Sequence, residues 1–213
     1  MTIAERITQL KKDFDEVKQA EYDRFWNALQ SKGSRNNYAY AFYMWADTEF
    51  QPKYPFTKDK TYSYDYAFYQ STITDLSGHS FKANGFNNTW RGCTQLLKIG
   101  SVYNGGSTFD NTFNGCGRLE TIELIGCLAN CSFGNTFKGC YGLKNITFDG
   151  YIGRSIDFRD CPLSADSVAS IFDHLTTVTN QTLVFDKTIT ITEQQINSAK
   201  AKGWQILLGT EKV

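Results

Sequence analysis

The segment FDNTFNGCGRLETI, residues 109 to 122, decides how the rest of this chain is read. Taken alone, a cysteine between two glycines has three chemical readings: a metal ligand, a redox thiol, or half of a disulfide. Two sister segments change that. FNNTWRGCTQLLKI at 86 to 99 and FGNTFKGCYGLKNI at 133 to 146 align with it without gaps. The shared pattern is Phe-x-Asn-Thr-aromatic-x-Gly-Cys-x-x-Leu-x-x-Ile, with starts 23 and 24 residues apart.

A period of that size lies in the range of leucine-rich repeats, whose units bury their apolar face only by stacking on neighbours. A degenerate copy, YAFYQSTITDL, precedes the three at 66 to 76, and IDFRDCPLS follows at 156 to 164. The expectation is an α/β repeat solenoid of four to five turns between residues 61 and 163. Stacking would line up Phe86, Phe109 and Phe133, then Trp90, Phe113 and Phe137, then Leu96, Leu119 and Leu143. The Leu-x-x-Ile end of each unit runs on in alternation and reads as a short strand. Ile122, Leu124, Ile146 and Phe148 are its inward positions. Thr121, Glu123, Asn145 and Thr147 are its outward ones.

Cys93, Cys116, Cys140 and Cys161 fall at one register of the pattern, and Ser71 holds that place in the first copy. A position that accepts Cys or Ser is a slot for a small side chain, so these four read as a structural ladder. Zinc favours paired ligands such as C-x2-C, which the sequence lacks, so no metal is expected. Cys127 and Cys131 form a C-x3-C that would be able to cross-link only outside a reducing compartment. Gly92, Gly115 and Gly139 mark a bend tolerant of positive φ. Asn88, Asn111 and Asn135 suggest a side-chain ladder serving backbone groups at the turn.

The ends read differently. Residues 1 to 32 suggest one long helix, with Ile3, Ile7, Leu10, Phe14 and Val17 at alternating spacings of four and three. That seam suits self-association or attachment to another protein, and a helix folded back on its own domain is the alternative. Residues 33 to 60 form a polar and aromatic connector that caps the first rung. Residues 164 to 213 read as an α/β capping unit. Ser164 is an N-cap for SADSVASIFDHL, TLVFD is a strand, and Thr192 with Gln195 forms a capping box for a second helix that stops at Gly203. QILLG supplies the last strand.

Composition narrows the function. Lys plus Arg and Asp plus Glu are equal at 22 each, and no basic cluster stands out, which argues against nucleic acid. No segment approaches the roughly 18 apolar residues of a membrane span, and the first residues lack the pattern of a secretory signal. No cofactor motif occurs. The two histidines, His79 and His174, lie far apart in sequence, and the carboxylates form no distinctive pair of the kind glycoside hydrolysis needs.

The repeats resemble the BspA-type leucine-rich repeats, whose units share the aromatic-x-x-Cys-x-x-Leu-x-x-Ile pattern. The end CPLSADSVASIFDHL...TITEQQINSAKAKGW and the opening AEYDRFWNALQSKGSRNNYAYAF...FQPKYPF resemble the regions flanking such repeats in phages and prophages of Gram-positive bacteria. The resemblance implies a non-enzymatic virion protein of the tail or baseplate. It would be made in the bacterial cytoplasm, and its partners would be other virion proteins or itself through the N-terminal helix, with a host surface protein or glycan as ligand. A bacterial cell-surface adhesin is the alternative, and a glycan-degrading enzyme a more distant one. The residues expected to contact the ligand are Lys98, Tyr103, Asn104, Thr121, Glu123, Asn145, Thr147 and Tyr151.

Overall fold

The computed structural model of the chain describes residues 5–10, 12–13, 16, 20, 36–37, 44 and 61–213. The chain divides into two compact units, Met1–Asn36 and Asn37–Val213. In the first, the described residues 5–10, 12–13, 16 and 20 are helical and exposed. They carry two i,i+4 pairs, Gln9 to Asp13 at 2.7 Å and Lys12 to Glu16 at 4.0 Å. Ile7 and Leu10 are 53% and 61% exposed. Ile3, Phe14 and Val17 lie outside the described residues.

The strands are β1 (Asn36–Asn37), β2 (Thr61–Ser63), β3 (Asp75–Ala83), β4 (Lys98–Asn104), β5 (Thr121–Cys127), β6 (Asn145–Gly150) and β7 (Ile156–Phe158). Helix α1 (Ala165–Asp173), β8 (Gln181–Phe185), helix α2 (Glu193–Ala201), β9 (Trp204–Leu208) and β10 (Glu211–Lys212) complete the chain. One sheet has the order β1-β2-β3-β4-β5-β6 and the other β10-β9-β8-β7. Pairing is parallel from β2 to β6 and from β7 to β9, with β10 antiparallel on β9.

This corrects the expected class. In place of a leucine-rich-repeat solenoid with a long N-terminal helix and a C-terminal cap, the described residues form two small, mostly parallel sheets with two short helices, an α/β arrangement. The physical reason sits at β6. Its free edge is not offered to β7, because α1 lies beside it: Ile146 N donates to Ser167 Oγ and Phe148 N to Ser170 Oγ, both at 2.9 Å. Two serine hydroxyls thus take the backbone donors that a further parallel strand would use, and the sheet ends. The sequence reported the copies and the helix that follows Ser164, but nothing in it marked the two serines of that helix as the acceptors that end the sheet. At the N-terminus, the described helical residues are too few to show a long helix.

Within the first sheet the copies lie side by side. Ile99 pairs with Ile122 and Ile122 with Ile146, so the last residue of the shared pattern forms a buried row. A second buried row is Phe81, Val102, Ile125 and Phe148. Leu124, expected inward, is only half-buried, and Ile125 takes its place. A bulge between Ile122 and Ile125 sets two β5 residues against the single residue Thr147 of β6, which moves the inward register by one.

Aromatic rings bind the copies together beneath the turns. Tyr64, Phe86, Phe109 and Phe133 stack with centroids 5.5, 5.5 and 5.7 Å apart. Phe68, Trp90, Phe113 and Phe137 form a second column at 5.9, 5.3 and 5.9 Å. This column crosses into the second sheet through Phe158, 4.6 Å from Phe137, and Phe185, 6.0 Å further on. Each such buried side chain is worth about 1.5–3 kcal/mol in transfer free energy, before any specific ring contact.

The two helices meet the second sheet at its strands β8 and β9: the Phe172 ring of α1 stacks 5.8 Å from Phe185, and α2 packs against β9. Ser164 Oγ accepts from Ser167 N at the start of α1, which buries Val168, Ile171 and Phe172. Thr192 and Gln195 form a complete capping box at the start of α2. Gly203, at φ +88°, follows α2 where an added Cβ would strike the Val178 carbonyl, so the turn into β9 requires glycine.

Candidate functional site

The cysteine column is a set of donors in the protein interior. Cys93 Sγ donates to Phe68 O at 2.8 Å, Cys116 to Trp90 O at 2.9 Å and Cys140 to Phe113 O at 3.1 Å. Cys161 lies 3.6 Å from Phe137 O in the same relation. Each thiol reaches back to the carbonyl of the aromatic residue one copy earlier. Burial pushes Cys93 and Cys140 up to about 12, and it also raises Cys116 and Cys161. These groups remain protonated, the form in which they donate. The slot therefore selects a small side chain with a donor hydrogen, a requirement that Ser71 also meets.

Threonine does the same at the neighbouring position. Thr89 Oγ1 donates to Tyr64 O, Thr112 to Phe86 O and Thr136 to Phe109 O, at 2.9, 2.6 and 2.8 Å. Asn88, Asn111 and Asn135 were expected to form a side-chain ladder, but their common property is a left-handed backbone with φ of 56°, 56° and 52°. Asparagine tolerates that region better than most residues. The pattern Asn-Thr-x-x-Gly-Cys is thus a turn with two left-handed positions and two inward donors. Cys127 and Cys131 are buried free thiols, both pushed up to about 12, mainly by that burial. Among the described residues no group of three metal-ligating side chains converges.

The outward strand residues fall into a row. Lys98 pairs with Thr121 and Thr121 with Asn145, which places three different polar side chains on adjacent parallel strands. Lys98, Glu123, Asn145, Thr147 and Tyr151 are exposed and Thr121 is half-exposed. Tyr103 is half-buried because its ring lies over Gly126, where an added Cβ would collide with Tyr103 Cδ1. Asn104 departs from its expected role as a surface contact. It is 3% exposed, with its Nδ2 donating to Thr108 O at 2.7 Å and its Oδ1 accepting from Gly106 N at 2.8 Å. Its amide holds the loop after β4 in place. Tyr151, 61% exposed, is anchored through its backbone, whose carbonyl accepts from Cys127 Sγ at 3.2 Å.

A cleft of about 510 Å³ opens on the turn side, lined by Asn135, Lys138, Tyr141, Asp157, Arg159 and Asp160. It draws on the third copy and on β7 with the turn that follows it. Tyr141 is 70% exposed. The Cδ2–Cε2 side of its ring rests beside Gly117 and Gly139, where added Cβ atoms would lie 3.9 and 4.0 Å from it. Arg159 Nε and Nη2 both meet Asp157 Oδ2, at 2.8 and 2.7 Å, and Nε also lies 3.1 Å from Oδ1. Asp160 Oδ2 accepts from Gly139 N at 2.8 Å, doing for the third copy what Lys138 O does for Gly115 N.

Of these six residues the motif reading marked only Asn135, and that as a turn residue of the repeat rather than as part of a cleft. The one signal was Tyr141, an aromatic residue where the sister copies have Thr94 and Gly117. His79 and His174 do not meet in a site. His79 lies in β3, its pKa lowered by burial against a partial opposing effect of Asp75. His174 caps α1, with Nδ1 2.7 Å from Ser170 O.

Comparison of the chain with protein-family models, curated proteins and solved structures gives no match.

Proposed function

We propose that this chain is a non-enzymatic binding protein, acting as a virion accessory component that contacts the host surface. One observation carries the reading. The three copies keep Leu and Ile at every inward position of the Leu-x-x-Ile segment, yet carry Lys98, Thr121 and Asn145 at the same outward position, in register on neighbouring strands. Packing fixes the first set of residues and leaves the second free to vary. A row of unlike polar side chains on a rigid parallel sheet suits recognition of a polar surface. Glu123, Thr147 and Tyr151 extend it.

The thiols support the same reading. Reactive cysteines need thiolate character and access, and these have neither. The exposed Ile7 and Leu10 suit attachment to another virion protein or to a second copy. The test is binding of the purified full chain to Gram-positive cells, beside the double substitution Thr121→Arg and Asn145→Arg. Loss of binding with an unchanged melting temperature supports the reading. Turnover of released cell-wall sugars by the wild-type chain would replace it with an enzymatic one.

A further inference from the structure

We propose that the cleft around Tyr141 binds an uncharged saccharide through one pyranose ring. The inference rests on the reading of the chain as a binding protein, but it uses a surface separate from the outward strand row.

The charges in the cleft limit the class of ligand. Lys138 and Arg159 contribute two positive groups, and Asp157 and Asp160 two negative ones, so they cancel formally. A phosphate or carboxylate ligand would meet the two aspartates, and a cation would meet Lys138 and Arg159. Neither gains a net field. A neutral ligand with many hydroxyls needs mixed donors and acceptors instead. Asn135 and Asp160 offer acceptors. Lys138, which makes no ion pair among the described residues, and the half-exposed Arg159 offer donors.

Tyr141 supplies the apolar part. It is an exposed aromatic residue at a register position where the other copies have Thr94 and Gly117, and it takes no part in the stacked columns. The Cδ2–Cε2 edge of its ring lies near Gly117 and Gly139, and the ring lines the cleft as a flat, largely exposed surface. A sugar ring has one apolar C–H face and a rim of hydroxyls, which fits a flat aromatic surface edged by polar groups. Among the described residues the lining has no second apolar side chain to receive a leucine or phenylalanine, which disfavours an apolar peptide anchor. Its volume of about 510 Å³ is within the usual range for small-ligand sites.

Rigidity favours the same conclusion. Arg159 is bound to Asp157 through Nε and Nη2, and Asp160 is tied to the Gly139 amide, so these polar groups have partners before a ligand arrives.

The experiment is a titration of the full-length chain, followed by amide NMR, with maltotriose and chitotriose. Adenosine and sialyllactose serve as a flat neutral ring and a charged sugar. The expected result is saturable shifts of the Gly139, Tyr141 and Arg159 amides with at least one neutral trisaccharide. Tyr141→Ala should weaken that binding at least tenfold, while Tyr141→Trp retains it. Thr121→Arg with Asn145→Arg should leave the titration unchanged, which separates this cleft from the strand row. Absence of saturable shifts with both neutral trisaccharides, stronger binding of adenosine or sialyllactose, or undiminished binding by Tyr141→Ala would overturn the proposal. Tyr141 is 70% exposed, so its substitution does not endanger the fold, and the spectrum itself reports that.

Discussion

The two sheets of the second unit are held together in different ways although one column of rings runs through both. In the first sheet each copy contributes the same inventory: a stacked ring, a threonine and a cysteine donating to the previous copy, and an isoleucine in the parallel row. In the second sheet Phe158 and Phe185 continue the column, but no copy of the motif recurs, and Phe172 of α1 stacks on Phe185 at its end. The backbone ladder breaks where the ring column does not. Side-chain stacking and strand pairing are therefore separate devices here, and Ser167 and Ser170 mark the place where they part.

The largest effect that sharpens this contrast is at the centre of the column. Phe113→Ala removes a ring with stacked neighbours on both sides, and should cost about 3–5 kcal/mol in urea denaturation. Phe172→Ala, at the column's end and 7% exposed, should cost clearly less. Equal losses would break the distinction between the column's stacked interior and its end.

The next effect concerns the sheet's closure. Ser167→Ala with Ser170→Ala leaves two amides without their acceptors, at about 1–3 kcal/mol for each group that stays dry. Hydrogen exchange should quicken at Ile146 and Phe148 while the Phe113 amide, bonded to Thr136 O, stays protected. Unchanged exchange at β6 would mean that the hydroxyls do not terminate the sheet.

A smaller effect tests the turns. Asn111→Ala forces a Cβ-bearing residue without a helpful amide into φ near +56°, and should cost about 1 kcal/mol, whereas Asn111→Gly should be nearly neutral. The thiols give a pH dependence of known sign. An unfolded thiol ionises near its ordinary value of 9.0, while buried Cys93 and Cys140 hold their protons up to about 12. Between those values the folded chain binds more protons than the unfolded one, so stability falls as pH rises above 9. Cys93→Ser with Cys140→Ser should flatten that fall, and at pH 8 iodoacetamide should label the native chain only slowly.

The smallest change expected is at Trp90. Its ring is buried in the column, but Nε1 has no hydrogen-bond partner among the described residues, and phenylalanine holds the same position in the other two copies. Trp90→Phe loses contact area but removes an unsatisfied donor that costs about 1–3 kcal/mol, so the net change should be slight in either direction.

Much of the first sheet was legible because its residues repeat. The Phe, Thr, Gly, Cys, Leu and Ile of each copy occupy equivalent places, and a position fixed by stacking reveals itself by recurring in one chain. What did not recur was hidden. The β5 bulge moved Ile125 into the place expected for Leu124, because strict alternation cannot register an added residue. Asn104 resembled a loop surface residue until its amide was found bridging Thr108 and Gly106. The cleft was invisible to motif reading because residues 135–141 and 157–160 meet only across neighbouring segments. The end of the sheet depended on two serine hydroxyls in a helix that otherwise looks like any amphipathic one.

The central claim is that the inward rows are framework and the outward row is the contact surface. The most direct measurement is the affinity of the full chain for Gram-positive cells, taken beside its melting temperature, for wild type and for Thr121→Arg with Asn145→Arg. The account expects a loss of at least tenfold in binding, about 1.4 kcal/mol, with a melting temperature within a few degrees of wild type. Undiminished binding by that variant, on a host that the wild-type chain recognises, would contradict it.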